Sequence, residues 1–179
     1  MKSIIFTFGR FNPPTTGHQR LISKVVETAK ENNAEHVVYL SQTHKAPTDP
    51  LEWFFKRRVC ESAFRGVNIS TDTTIRNPYI ALETLAKEYD NIQMVVGSDQ
   101  AEEFEKRFSP HAKTWGVNFK VVSCGQRIVE SEGIEGMSAT KLRQLAAIGD
   151  KEKFYQGLPE SLNENIKRLV YTNVRKGLK

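Results

Sequence analysis

The stretch that decides the fold is "FTFGRFNPPTTGH", Phe6–His18. A β-rich run, Ser3–Phe8, breaks at Gly9 and passes through Arg10, Phe11, Asn12, Pro13 and Pro14. Thr15-Thr16-Gly17-His18 follows, ahead of Leu21, Ile22, Val25, Val26 and Ala29. Those apolar positions have helical spacing over His18–Lys30, so the stretch is the loop of a strand–loop–helix unit. A helix start offers free backbone N–H groups and the positive end of the helix dipole. The loop is therefore either stiff punctuation or a cradle for an anion. The phosphate fingerprints GxxxxGK[ST] and GxGxxG are both missing from the chain.

The same alternation runs outward from this unit. Glu35–Ser41 reads as a second strand, Leu51–Phe64 as a second helix stopped near Gly66, and Val67–Ser70 as a short third strand. Asn77 before Pro78 is an N-cap followed by proline at the first helical position, which predicts a helix over Pro78–Tyr89. Ile92–Gly97 is a buried strand, Asp99–Phe108 a helix, Val117–Cys124 a fifth strand, and Ser138–Ile148 a helix ended by Gly149. Lys151–Gln156 and Pro159–Lys176 close the chain as helices, the second with Ser161 and Glu164 in capping-box spacing. Near-continuous apolar strands alternating with helices predict an α/β fold: a Rossmann-like, doubly wound parallel sheet of five strands with helices on both faces and a C-terminal helical extension. No linker divides the chain, so 1–179 reads as one domain, with a core over 1–149 and helices over 150–179. Ligands of such sheets lie at the carboxyl ends of the strands, which places the loops after Phe8, Ser41, Gly97 and Cys124 on one rim.

Composition sets the bounds. With 179 residues, 39% hydrophobic and 26% charged, the chain has an ordinary globular make-up. A chain of this length buries roughly 70% of its unfolded surface. No apolar run is long enough for a bilayer, and "MKSIIFTFGRF" reads as a strand rather than a signal peptide. Cys60 and Cys124 lack CxxC spacing, which together with the missing leader points to a reducing, cytoplasmic location. The net charge of +5 suits phosphate-bearing small molecules as well as nucleic acid. A homo-oligomer is allowed by these features and not required by them.

Gly9-Arg10-Phe11-Asn12-Pro13 followed by Thr15-Thr16-Gly17-His18 resembles the (H/T)xGH signature of the nucleotidylyltransferase superfamily. Met137-Ser138-Ala139-Thr140-Lys141-Leu142-Arg143 is similar to the ISxTxxR motif that these enzymes carry late in the chain, and "VVGSD", Val95–Asp99, resembles their glycine-acid element. Thr15 replaces the first motif histidine, and Ala139 stands where a second serine is common. The closest likeness is to nicotinamide-mononucleotide adenylyltransferase-like members and to phage cytidylyltransferase-like members, and it covers Met1 to about Gly149.

The resemblance implies transfer of the NMP part of ATP, with CTP as second choice, to a phosphate-bearing acceptor, releasing pyrophosphate. Nicotinamide mononucleotide is the expected acceptor. An acceptor phosphate is already an anionic nucleophile, so the reaction needs alignment and charge neutralisation more than a base. His18, Thr15 and Arg143 are the expected catalytic residues; Gly9, Arg10, Phe11, Asn12, Gly17, Gly97, Asp99, Ser138 and Thr140 the nucleotide-binding ones. Mg²⁺ would ride mainly on the triphosphate and water, with no protein metal ligand.

Lys45 and Arg58 are the expected acceptor-binding cations, with Lys56 a further candidate, and Trp115 a candidate to stack on an acceptor ring. Trp53, Phe54 and Phe55 read as packing. Two other classes compete. One is a non-catalytic nucleotide-binding module that keeps the cradle only. The other starts from "GMSATK", which also resembles the KMSKS signature of class I aminoacyl-tRNA synthetases. The chain lacks the length for an anticodon-binding domain, and its basic C-terminal helix reads as a solvated face, which argues against nucleic acid and leaves no call for a membrane partner.

Overall fold

A computed structural model describes residues 1–125 and 137–179, and these form two compact units. The first comprises Met1–Gly9, Arg20–Tyr39 and 67–125; the second comprises Arg10–Gln19, Leu40–Gly66 and 137–179.

The first unit holds the sheet. Strands β1 (Ser3–Gly9), β2 (Glu35–Leu40), β3 (Asn91–Val96) and β4 (Asn118–Ser123) lie in the order β2-β1-β3-β4. β3 runs parallel to β1, with Phe6 opposite Met94, and parallel to β4, with Val95 opposite Val122. Alternate side chains feed opposite faces. Ile4, Phe6, Ile92, Met94 and Val96 join Ala81, Leu82 and Leu85 of helix α3 (Pro78–Leu85) and Phe108 of α4 (Ala101–Trp115). Ile5 and Val95 meet Val25 and Ala29 of α1 (Thr16–Glu31) on the other face. Helices therefore cover both faces, as the sequence pattern predicts. Phe6, Ile92 and Met94 have no exposed surface, and each such side chain contributes about 1.5–3 kcal/mol through burial.

The expected five-stranded sheet has four strands among the described residues. The Val67–Ser70 segment makes one isolated parallel bridge, Ile69 to Val38, through Val38 N–H to Asn68 O at 2.8 Å and Ser70 N–H to Val38 O at 2.9 Å. Gly66 on one side and the Asp72 turn on the other, where Thr74 N–H donates to Asp72 Oδ1 at 2.9 Å, leave too few extended residues for a ladder. The strand order reverses between β1 and β3, whose carboxyl ends lead into Gly9 and Gly97.

Asn77 caps α3 as expected, accepting from Ile80 N–H at 2.9 Å. α4 runs seven residues past the predicted end at Phe108, because Phe108 and Ala112 keep its buried face going through Pro110 until Gly116 stops it at φ 72°. β4 has a neighbour on one side only among the described residues, and Glu105 Oε2 accepts its Val121 N–H at 3.0 Å.

In the second unit, α2 (Trp53–Ala63) buries Lys56, Val59, Cys60 and Ala63 along one stripe. Helices α5 (Ala139–Ile148), α6 (Lys151–Gly157) and α7 (Glu164–Gly177) pack on one another. Gly149 ends α5 at φ 81°, in the C-cap position expected of it. The expected Ser161 capping box is not formed. Asn163 caps α7 by accepting from Ile166 N–H at 2.9 Å, while Ser161 Oγ donates to Ala63 O at 2.6 Å and ties off the end of α2. No helix of the described residues is long and apolar enough to cross a membrane.

Candidate functional site

The second unit brings both motifs together. Arg10–His18 forms a loop held from several sides. Asn12 is fully buried, and its amide brackets the backbone of one residue, Leu51: Leu51 N–H donates to Oδ1 at 2.8 Å, and Nδ2 donates to Leu51 O at 3.2 Å. Both ends of that amide are therefore engaged by protein, so Asn12 acts on the loop's shape. Phe11, also fully buried, sits at φ 48° in the left-handed region, where a bulky side chain is an outlier. Its ring packs on His18 at a centroid distance of 4.4 Å. The Asn12–Pro13 peptide is cis.

Thr15 and His18 form a local unit. Thr15 N–H donates to His18 Nδ1 at 3.0 Å, and His18 N–H donates to Thr15 Oγ1 at 3.3 Å. A backbone N–H facing Nδ1 makes that nitrogen an acceptor, so the neutral ring carries its proton on Nε2. The helix start thus presents a histidine whose outer nitrogen is a hydrogen-bond donor.

The second motif closes on this loop. A Cβ on Gly17 would lie 3.1 Å from Met137 O and 3.3 Å from Thr15 Oγ1, so any larger residue would have to push these neighbours back by a few tenths of an ångström. Ser138 caps α5 by accepting from Lys141 N–H at 3.1 Å. Arg143, one turn on, donates from Nη1 to Asn12 O at 2.9 Å and from Nη2 to Thr140 Oγ1 at 3.2 Å. Half-burial pulls the Arg143 pKa down, as does the nearby Arg10, while buried Asp49 acts against both.

Lys56 is the residue that sequence reasoning misplaced. A further acceptor candidate with a solvated face as the equal alternative, it has no exposed surface; its ammonium donates to Arg10 O, to Ser41 O at 2.8 Å and to Ser41 Oγ at 3.3 Å. Its pKa is lowered to about 8, chiefly by burial and in lesser part by Arg10, with Cys60 and Asp49 acting the other way. Its signal was helical spacing, since Lys56 shares a stripe with Val59, Cys60 and Ala63, whereas the basic run it belongs to suggested a wet face.

The remaining candidates fall apart into two sets. Lys45 is exposed on a tight loop, paired with Asp49 by N–H···O bonds of 3.0 and 2.8 Å around the cis Ala46–Pro47 peptide. Arg58 is exposed and lies 5.9 Å from the Phe54 ring, and Arg57 covers both Trp53 and Phe54. In the first unit, Gly97 and Asp99 follow β3; a Cβ on Gly97 would lie 3.0 Å from Asp99 Oδ1, and Gln100, not Asp99, is the N-cap of α4.

Trp115 is the last residue of α4, just before β4 begins, which puts it at the amino ends of the strands and away from their carboxyl rim. It packs against His111 at 5.8 Å and Tyr79 at 5.6 Å, a place that packing explains and ring stacking on a rim-bound acceptor does not. Among the described residues no three His, Cys, Asp or Glu side chains cluster to hold a metal ion.

The fold has solved counterparts. The Plasmodium falciparum nicotinic acid mononucleotide adenylyltransferase complexed with NaAD matches with a TM-score of 0.63 at 13% identity, over 96% of this chain and 98% of that one. A Vibrio parahaemolyticus protein provisionally described as a nicotinate-nucleotide adenylyltransferase gives 0.60 at 17% identity, over 95% and 99%. The bifunctional NMN adenylyltransferase/ADP ribose pyrophosphatase of Francisella tularensis, complexed with AMP and a manganese ion, gives 0.53 at 18%, over 98% of this chain and 52% of that one. At such identities the likeness shows a shared fold. No curated protein is matched by the sequence. The sequence model of the cytidylyltransferase-like family matches residues 6–145, a span that includes both motifs and strands β2, β3 and β4 between them. The chain belongs to the cytidylyltransferase-like family of nucleotidyltransferases.

Proposed function

We propose that the protein transfers the NMP part of ATP to the phosphate of nicotinamide mononucleotide or its acid analogue, releasing pyrophosphate. The observation that carries this reading is the direct junction of the two motifs, Gly17 against Met137 O and Arg143 on Asn12 O. That junction sets a histidine donor, a helix start and a guanidinium on one loop. An acceptor phosphate oxygen attacks the α-phosphorus, the new P–O bond forms, and the bond from the α-phosphorus to the bridging oxygen breaks toward pyrophosphate. The His18 Nε2–H and Thr15 hydroxyl meet the charge that grows on the leaving group, while Arg143, Thr140, Ser138 and the α5 start hold the outer phosphates.

Arg10 and Arg143 make the loop cationic, a donor set suited to phosphate rather than to a bare metal. Mg²⁺ would accordingly be held by phosphate oxygens and water, supplying charge neutralisation. Structures of the same fold with AMP and manganese, and with an ATP analogue bound to the Thermotoga maritima TmcAL protein, support a nucleotide and divalent-cation requirement. Lys45 and Arg58 are assigned to the acceptor as exposed cations of the same unit. Gly9, Gly97 and Asp99 belong to the first unit, at the strand-order reversal where open α/β sheets bind ligands, and the motif resemblance supports them as nucleotide-binding residues. Neither Cys60 nor Cys124 is part of a disulfide, which supports a reducing, cytoplasmic setting.

The family description favours CTP as the competing donor. Incubation with Mg²⁺, labelled ATP or CTP, and a panel of acceptor phosphates that includes both mononucleotides decides the matter by pyrophosphate release. Nucleotide binding without pyrophosphate from any pair would overturn the reading and leave a binding module.

A further inference from the structure

We infer that Lys56 is a positioning residue that shapes the phosphate loop from beneath and does not touch either substrate. An ammonium group has three N–H donors, and here the three meet Arg10 O, Ser41 O and Ser41 Oγ. None remains for a phosphate, and the side chain has no exposed surface. What Lys56 can do is fix the backbone. The Arg10–Phe11 peptide is trans, and in a trans peptide C=O and N–H point in opposite directions. Holding Arg10 O on the ammonium therefore turns the Phe11 N–H away from Lys56.

The next residue needs such support. Phe11 sits at φ 48°, a conformation that costs an L-residue about 1–2 kcal/mol and persists only where its surroundings over-determine it. Lys56 secures the peptide before it, and Arg143 secures the carbonyl after it, on Asn12. The Phe11 ring in turn rests on His18, so the grip on Arg10 O reaches the histidine through one residue. Two buried or half-buried cations thus hold alternate carbonyls of the loop, and the left-handed phenylalanine lies between them.

The kinetic part of the test rests on the proposed transfer reaction, whereas the binding part stands without it. Lys56→Met keeps the length and burial of the side chain and removes the donors; Lys56→Gln restores two N–H donors. Calorimetry with ATP and Mg²⁺ should show Lys56→Met binding ATP at least tenfold more weakly and Lys56→Gln recovering part of the loss, with far-UV circular dichroism unchanged. With turnover present in the wild type, kcat should fall at least tenfold in Lys56→Met and the KM for the acceptor should stay within about twofold. Unchanged ATP affinity in Lys56→Met, or a change confined to acceptor KM, would overturn the inference. Absence of wild-type turnover would count against the proposed reaction alone.

Should neither variant fold, mild reductive methylation of the wild type, mapped by mass spectrometry, decides. Lys56 is expected to stay unmodified with and without ATP or acceptor phosphate. Methylation of Lys56 in the free protein, blocked by acceptor phosphate alone, would make it an acceptor ligand and overturn the inference.

Discussion

Arg143 donates to the carbonyl of Asn12 at 2.9 Å, across 131 residues of sequence. This bond fastens the late helix to the early loop, and a charged hydrogen bond of this kind contributes about 1.5–3 kcal/mol. Arg143→Ala should therefore reduce kcat/KM at least 100-fold, through loss of both the phosphate charge and the loop anchor. Arg143→Lys, which cannot reach Asn12 O and Thr140 Oγ1 together, should recover less than a tenth of the wild-type value. Steady-state kinetics on the two variants checks this; near-normal kcat/KM in Arg143→Ala would exclude Arg143 from the reaction.

His18 can be divided by atom. Asn at position 18 offers an acceptor near the Nδ1 position and loses the outer donor, whereas Gln places an amide N–H near the Nε2 position. If the Nε2–H works on the phosphates, His18→Asn should lose about 10²–10³-fold in kcat, within the range for removing one transition-state donor. His18→Gln should keep more activity than His18→Asn. The reverse order, measured under saturating substrates, would locate the function of His18 at Nδ1.

Gly17→Ala tests the junction itself. Its Cβ would lie 3.1 Å from Met137 O, closer than backbone oxygen tolerates without movement, so the two motifs must part by a few tenths of an ångström. Misplacement on that scale should cost about tenfold in kcat while ATP binding changes less. A thermal melt alongside the kinetics should show a drop of only a few degrees.

Four buried or partly buried groups give stability a definite pH shape. Lys56 titrates near 8 in the folded protein and near 10.5 when unfolded, so as pH falls from 10.5 to 8 the unfolded chain takes up a proton that the folded one refuses. Stability from this group rises as pH rises through that window, by about 3 kcal/mol at most. Cys60, pushed up to about 12 by burial from 9.0, acts in the opposite sense above pH 9, because the unfolded thiol ionises first. Tyr39 and Tyr89, both raised to about 12 chiefly by burial, add to the loss above pH 10. Denaturant unfolding should show stability rising from pH 8 to 9, levelling, then falling beyond 10. Lys56→Met should remove the rise, and Cys60→Ala should extend it toward pH 10.

Much of this was legible in the sequence, for identifiable reasons. Helical and strand spacing located the sheet, and caps at Asn77, Ser138 and Gly149 marked helix ends, because those features act within one turn of chain. Segments whose fate depends on distant partners were harder to read. The helix from Asp99 reads as ending at Phe108, yet the burial of Phe108 and Ala112 carries α4 on through Pro110 to Trp115. Val67–Ser70 has strand composition but room for one bridge only. Asn163 took the cap that Ser161 and Glu164 spacing suggests, since Ser161 is spent on Ala63 O. In the candidate site, the two motifs that meet at Gly17 and Arg143 were visible through their resemblance to family signatures. That Asn12 and Lys56 would spend their polar atoms on backbone 39 and 46 residues away was not, because no local pattern encodes a long-range carbonyl.

The Glu105 carboxylate on Val121 N–H has a meaning for crowding as well as for the fold. An outermost strand with open N–H groups is a template on which other chains can add strands and polymerise. Among the described residues β4 is paired on one side only, and a charged side chain from its own helix on one of its donors makes that margin a poor nucleus for such growth. Glu105→Leu would leave catalysis alone and shorten the time for which a concentrated solution stays clear.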